Sequence, residues 1–367
     1  MTQLDYSSLS QPVTQTDIQA YKATRNAPAL KLNKWLFGII IAFGVITVGV
    51  TMMPLLIGLL AGNMNTLPPL GSFVVVVTLL TVIVVAWMRY DERKRAMLYR
   101  FAMQNKLTLL ENVVNPVGYK SMIFDEGHSR IINDVLRLPD GAEIGNYEYT
   151  TGSGRSSTTH TYGYIKIPLT RNLPHMVLDG KANNLFGIIT GLSDSFDRSQ
   201  KLSLEGDFDS YFTLYVPKEY EQDALYVFTP DVMKVLVDEG RRFDMEIVDD
   251  ALYVYSNFHL VLTSTEQLSS LVKIIDTIGS ELRAQTLRYA DERVDDTSQA
   301  GTIAQGGRRL NRRMSLAVLA ALGIITVNIV LSMFDAVDSP VATFIYVAAG
   351  IGVWVVFAIG FLSRIKK

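Results

Sequence analysis

The sequence predicts a multi-pass α-helical membrane protein with four transmembrane helices and an inserted α+β soluble domain built on an antiparallel sheet. Three observations predict this fold class. Hydrophobic residues make up 49% of the 367 residues and are concentrated in four uninterrupted runs. Lysine and arginine flank those runs on one side only. Between the second and third runs, the pattern changes to alternating strand and helix signals.

The four apolar runs are each long enough to cross a bilayer, which takes about 20 residues per helix. They cover residues 35–61, 70–88, 314–334 and 341–362, and none contains a charged side chain. An uncharged interior avoids a cost of about 2.5–3.5 kcal/mol for each buried charge. The runs therefore predict two transmembrane hairpins, over residues 34–89 and 314–367.

Basic residues predict the orientation of these hairpins. They cluster at 22–34, 89–100, 308–313 and 364–367, whereas the short connections 62–69 and 335–340 contain no lysine or arginine. Positive residues near span ends remain on the cytoplasmic side. We therefore expect a plasma-membrane protein in contact with the lipid bilayer, with both termini and the inserted domain in the cytoplasm.

Two further segments have polar compositions. Residues 1–33 are rich in Ser, Thr and Gln and predict a flexible cytoplasmic N-terminal tail. Residues 295–313 combine polar residues, glycine and arginine and predict a flexible basic linker. The cytoplasmic α+β domain then covers residues 90–294.

Strand signals dominate the first half of that domain. Residues 142–150 and 159–169 alternate aromatic and β-branched side chains around a Gly/Ser/Thr tip, which predicts a β-hairpin. Shorter runs predict strands at 119–124, 211–216, 226–228, 243–248, 252–255 and 260–263. These strands are expected to form an antiparallel sheet.

Two helix starts stand out in the second half. Thr229, Pro230 and Asp231 give an N-cap, a first-turn proline and an acidic residue, and this helix should end at Gly240. Ser264 with Gln267 forms a capping box for a longer helix. Its apolar residues recur at helical spacing as far as Leu282, so the helix should cover one face of the sheet.

The best candidate for a metal site is Glu205, Asp207 and Asp209. Their spacing of two places the three carboxylates on one face of an extended chain, and oxygen ligands suit divalent cations. The alternative is a solvated turn around Gly206. The chain has no cysteine, and its four histidines lack compact metal spacing, so the sequence indicates no other metal and no cofactor.

No catalytic motif is evident, which favours a non-enzymatic scaffold or sensor that presents the domain at the inner membrane face. Enzymatic activity stays open as a metal-dependent hydrolase or ligand-binding head using the Glu205/Asp207/Asp209 cluster. A transporter would need a polar path, for which Asn328 is the main sign. The net charge of −2 gives no reason to expect nucleic-acid binding. Protein partners at the membrane and a homo-oligomer both remain open.

Five stretches carry a family resemblance. They are GNYEY at 145–149, RNLPHMVLD at 171–179, LSLEGDFDSYFTLYVP at 202–217, EYEQDALYVFTPDVMKVLVDEG at 219–240 and FDMEIVDDALYVYS at 243–256. Over roughly residues 145–256 the chain resembles a family of bacterial multi-pass membrane proteins that carries a domain of unknown function. The resemblance implies one folded module and assigns no catalytic residue.

Overall fold

The computed structural model describes residues 4–24, 67–182, 196–294 and 302–311. The predicted spans 35–61, 314–334 and 341–362 lie outside these residues. The predicted span 70–88 falls within a helix, Leu67–Gln104, whose side chains are described almost continuously only from residue 88 onward.

The described elements alternate between short helices and strands of very different lengths. The helices are α1 Ser7–Ser10, α2 Gln15–Thr24, α3 Leu67–Gln104, α4 Met122–Asp125, α5 Phe208–Tyr211, α6 Glu221–Val227, α7 Pro230–Val235, α8 Thr265–Ile274 and α9 Ser280–Thr286. The strands are β1 Thr108–Leu110, β2 Val113–Val114, β3 His128–Arg137, β4 Glu143–Thr151, β5 Thr158–Gly180, β6 Lys201–Leu202, β7 Phe212–Tyr215 and β8 Asp244–Ser256. A π-helical turn extends α7 to Gly240, and another joins α8 to α9.

The multi-pass fold class requires correction. Over the residues described with their side chains, no helix is both long and apolar enough to cross a membrane. Beyond the predicted span 70–88, the last turns of α3 pack on the domain, where Leu98, Phe101 and Ala102 are buried in the core. An apolar run indicates a need for burial, and it does not specify which apolar surroundings supply it. We therefore correct the fold class to an antiparallel sheet with helices, and the membrane location and cytoplasmic orientation are corrected with it.

The predicted antiparallel sheet is confirmed. Its strands follow the order β1–β3–β4–β5–β7–β6, with β2 on β3 and β8 on β5, and every pair is antiparallel. The predicted hairpin is β4–β5, with Glu143 opposite Lys166 and Thr151 opposite Thr158. Strand β5 spans 23 residues and pairs with β4, β8 and β7 in turn. It is therefore the central strand of the sheet.

The sheet has two unlike faces. The helix face is lined by aliphatic side chains such as Ile167, Met176 and Leu252, which pack against α6 to α9 and the end of α3. The opposite face, here called the tyrosine face, is covered by residues 119–124 and by Leu310. Its seven strand tyrosines are Tyr147, Tyr149, Tyr162, Tyr164, Tyr215, Tyr253 and Tyr255.

Part of the predicted N-terminal tail is folded. Helices α1 and α2 pack on the last turns of α3, where the Arg100 guanidinium donates to the carbonyl oxygens of Ser8 and Gln11 and pairs with Asp17 at 2.8 Å. The Tyr21 hydroxyl also donates to Glu111 at 2.9 Å. Composition alone predicted flexibility because these contacts join residues that are far apart in the sequence.

Candidate functional site

A short segment after the main domain folds back onto it. Residues 302–311, here called the strap, lie within the predicted linker 295–313, of which 295–301 and 312–313 are outside the described residues. Ile303 and Leu310 are buried, so the strap is anchored by an apolar side chain near each end. The sequence prediction of a flexible tether therefore differs from the structure over these ten residues.

The centre of the strap's binding site is a buried polar cluster made of His175 on β5 with Glu246 and Tyr255 on β8. The His175 Nε2 atom lies 2.9 Å from Glu246 Oε1, and the Tyr255 hydroxyl donates to Glu246 Oε2 at 2.9 Å. The main-chain N–H of Met122 donates to both carboxylate oxygens at 3.1 Å. All three side chains are at most 1% exposed. A carboxylate so deeply buried is stable only because several donors surround it.

The strap completes this cluster. The main-chain N–H of Leu310 donates to His175 Nδ1 at 2.9 Å. Because Nδ1 accepts a hydrogen bond, it carries no proton, and the ring is the neutral form with its proton on Nε2. That proton is donated to Glu246. Burial, followed by the neighbouring Glu246 carboxylate, raises the pKa of Tyr255 well above its usual value, so its hydroxyl keeps its proton and remains a donor.

Two further contacts hold the strap by its main chain. The Gln200 side chain accepts from Asn311 N–H and donates to Asn311 C=O, both at 2.8 Å. At the other end, Asp291 accepts from Ala304 N–H at 2.9 Å. Three sites on the domain therefore bind backbone groups of one short segment, which contains a 3-10 turn at Gln305–Gly307.

The Asp291 contact belongs to a second polar cluster. Asp291 also accepts from the Tyr220 hydroxyl at 2.8 Å and pairs with Arg293 at 3.1 Å, and the guanidinium lies 4.0 Å from the centre of the Tyr220 ring. Burial alone would raise the pKa of Asp291, but the N–H groups of Ala304 and Arg293 and the Tyr220 hydroxyl together hold it below its usual value. Asp291 is therefore an anion when the strap is bound.

A histidine paired with a carboxylate is a common general-base arrangement, and the free ring nitrogen is the one that would take a proton from a substrate. Here that nitrogen is Nδ1, and the strap occupies it. In the described arrangement the His175–Glu246 pair binds a segment of its own chain and holds the strap in place.

The candidate metal ligands do not gather into a metal centre. Gly206 has a φ of +74°, which turns the chain and breaks the extended spacing on which the prediction depended. Glu205 and Asp207 are exposed, whereas the Asp209 carboxylate accepts from Ser203 Oγ and from Leu204 N–H at 3.2 Å. No group of three acidic or histidine side chains in the described part of the chain could hold a metal ion. The metal assignment stays a prediction.

A second candidate site is an exposed apolar surface on the helix side of the domain. Leu225 and Tyr226 at the end of α6 and Leu287 after α9 are 52%, 42% and 53% exposed. The Gln285 amide donates to Tyr226 C=O at 2.6 Å, and the Arg171 Nε donates to Leu287 C=O at 3.0 Å. These bonds bring together α6, α9 and the part of β5 between Pro168 and Leu173, where its pairing with β8 is irregular. We call this set of three side chains the apolar surface.

The sequence analysis did not identify the His175–Glu246 pair as a binding site for the strap. His175 and Glu246 are 71 residues apart, and neither belongs to a local motif. A usable signal was present, because each interrupts an otherwise apolar strand, in LPHMVL and DMEIV. A polar residue at such a position must find a buried partner.

No family model and no curated protein matches the chain. Among solved structures, it is similar to the crystal structure of the mycobacterial trehalose monomycolate transport factor A, with a TM-score of 0.34 and 10% identity. The alignment covers 51% of this chain and 92% of that chain. A likeness at this TM-score leaves the function of this chain open.

Proposed function

We propose that the described domain is a non-enzymatic scaffold or sensor that binds a protein partner through the apolar surface. The observation that carries the proposal is the grouping of Leu225, Tyr226 and Leu287, each more than 40% exposed, at one junction of α6 and α9. Large apolar side chains that cluster on a surface mark interaction sites, whereas scattered ones do not.

The charges beside this surface define the partner's chemistry. Arg171 and Arg288 are exposed, and neither has an acidic partner among the residues that the structure describes. Arginine at the edge of an apolar centre favours a partner with carboxylates around its own apolar residues. The expected partner is therefore a protein segment with apolar residues flanked by Asp or Glu.

The use of the buried ionisable groups supports a non-enzymatic role. Glu246 and His175 hold the strap, and Asp291 holds its other end. Glu143 accepts from Tyr119 at 2.6 Å and pairs with Arg137 at 2.8 Å. Each of these groups binds another part of the same chain. The hydrolase alternative has less support, since the Asp209 carboxylate is occupied by Ser203 and Leu204.

Site-specific photocrosslinking in the full chain tests the proposal. A photoreactive amino acid at position 225 should give a defined protein adduct in living cells. Truncating a central interface side chain costs more than about 1 kcal/mol, so Leu287→Ser should reduce that adduct about fivefold or more. An adduct at twice the mass of the chain would identify the partner as a second copy.

The matched control places the same photoreactive group at position 117, because Val117 is 94% exposed and lies outside the apolar surface. We expect no defined adduct there. Equal adducts from both positions, or an adduct at 225 that Leu287→Ser leaves unchanged, would contradict the proposal.

A further inference from the structure

One of the hydrogen bonds that hold the strap depends on the protonation state of a single side chain, His175. Leu310 N–H can donate to His175 Nδ1 only while that nitrogen has a free lone pair. Protonation at Nδ1 would place two N–H groups face to face at the 2.9 Å contact. The other nitrogen, Nε2, already carries its proton for Glu246.

The groups around His175 stabilise the protonated ring once it forms. Glu246 and Tyr255 face it from β8, and Glu246 is an acceptor that pairs well with an imidazolium ion. Lys120 on the covering segment and Arg309 on the strap both pair with Asp249, at 2.9 and 3.7 Å. The Leu310 N–H of the bound strap therefore opposes a second proton on the ring, whereas the Glu246 carboxylate favours one.

We propose that the strap is a proton-sensitive latch, closed while His175 is neutral and released when the ring takes up a second proton. Histidine is the side chain that ordinarily changes charge between about pH 5 and 8. Strap binding favours the unprotonated ring, so by linkage acid favours release. Closure is complete at the alkaline end of this range and is lost as the pH falls.

The latch goes beyond the proposed partner binding and does not depend on it. Leu310 packs on the tyrosine face and Ile303 in the helix-face core, and Leu225, Tyr226 and Leu287 of the apolar surface make none of the described hydrogen bonds to the strap. Release would free ten residues that carry Arg308 and Arg309, and it would uncover His175 Nδ1.

Hydrogen exchange of the Leu310 and Asn311 amides in the full chain tests this inference. The measured quantity is the protection factor, which removes the intrinsic pH dependence of exchange. If release takes up one proton, protection of Leu310 should fall by up to tenfold for each pH unit. We expect at least a tenfold fall between pH 8 and pH 5, with the amides of β5 and β8 unchanged.

Two variants separate the latch from general loosening. His175→Gln cannot gain a charge, so Leu310 protection should become independent of pH over this range. Gln200→Ala removes the two hydrogen bonds to the main chain of Asn311 and keeps the histidine. Protection should therefore fall at every pH, while its ratio between pH 8 and pH 5 is retained. His160→Gln is the matched histidine control and should behave as the unmodified protein does, since its Nε2 contacts Thr151 at the hairpin end.

Nitrogen NMR of the His175 ring gives a second measurement, which remains decisive if His175→Gln fails to fold. The ring should change from the Nε2–H form to the doubly protonated form over the same pH interval in which Leu310 loses protection. Constant protection from pH 8 to pH 5 would overturn the proposal. So would a loss of protection while the ring remains neutral, which would assign the effect to another group.

Discussion

The two faces of the sheet are closed by different means. The helix face is aliphatic, and regular helices cover it with side chains at helical spacing, such as Leu268, Leu271 and Ile275. The tyrosine face contains the buried carboxylates Glu143 and Glu246 and is covered by irregular segments. Aliphatic packing is non-directional, whereas hydrogen bonds to a buried carboxylate require particular donors. We infer that both faces contribute to stability and that the tyrosine face contains the part that can open.

The largest effect should come from removing the acceptor at the centre of the tyrosine face. Glu246→Ala leaves His175, Tyr255 and Met122 N–H without their acceptor. Each buried donor left without an acceptor costs about 1–3 kcal/mol, so the three together should cost at least about 3 kcal/mol. Urea unfolding should show that loss, and Glu266→Ala on the exposed side of α8 should show almost none. A loss below about 1 kcal/mol would mean that the cluster contributes little to stability.

A deletion on the helix face should have a smaller effect of another kind. Leu282 on α9 is fully buried, and Leu282→Ala should cost about 2–5 kcal/mol through lost burial and a residual cavity. Because the cost is global, calorimetry should show a lower melting temperature while the strap amides keep their relative protection. Selective loss of strap protection in this variant would remove the distinction between the two faces.

The hydrogen bond from Ala304 to Asp291, at the other end of the strap, should weaken at a pH below the range proposed for the latch. The pKa of Asp291 is lowered in the folded chain, so its contribution is fully present above its unfolded value near pH 4. That contribution is lost as the pH falls through the lower folded value. Protection of the Ala304 amide should therefore drop by a few-fold below about pH 4. In Asp291→Asn this acid step should be absent, whereas its persistence would assign the step elsewhere.

The smallest effect should come from a helix end. Ser264 accepts from Gln267 N–H at 3.3 Å and caps α8 on the helix face. Ser264→Ala should cost about 1 kcal/mol, measured by urea unfolding, with no change in strap protection. Ser269→Ala is the matched control within the same helix and should be nearly neutral. A larger effect on the strap than on global stability would contradict this assignment.

Local sequence signals predicted the local parts of the fold. The β4–β5 hairpin, the helix start at Thr229 and Pro230, and the Ser264 cap each depend on residues close in the chain, and each is confirmed. The predicted strand 260–263 was wrong, because residues 262–263 form a turn and residues 260–261 belong to no strand. Two further local predictions were wrong. Tyr226 and Val227 belong to α6 and not to a strand, and much of the predicted strand 119–124 is α4. In both cases aromatic and β-branched residues suggested a strand, and tertiary contacts determined a helix.

The candidate sites could not be predicted in the same way. The bond from Leu310 to His175 joins residues 135 apart, and the bond from Asn311 to Gln200 joins residues 111 apart. One partner in each contact is a main-chain N–H group. Almost every residue has such a group, so the residue type does not indicate which one will form the bond. The apolar surface depends on where α6 ends relative to α9. Of the aromatic residues in 211–228, Tyr226 is the one exposed by more than 40%, which only the packed structure reveals.

The length of β5 also affects how the chain is made. Gly163 on β5 pairs with Ser256 on β8, so about 90 residues separate the two strands at that point. At a ribosomal rate of about 5–20 residues per second, one edge of β5 waits roughly 5–20 s for its partner. During that interval the edge presents unpaired main-chain groups beside several tyrosines, which is the arrangement that favours pairing with another nascent chain. We therefore expect the yield of folded protein to depend on whether the β5 edge is shielded until β8 is synthesised.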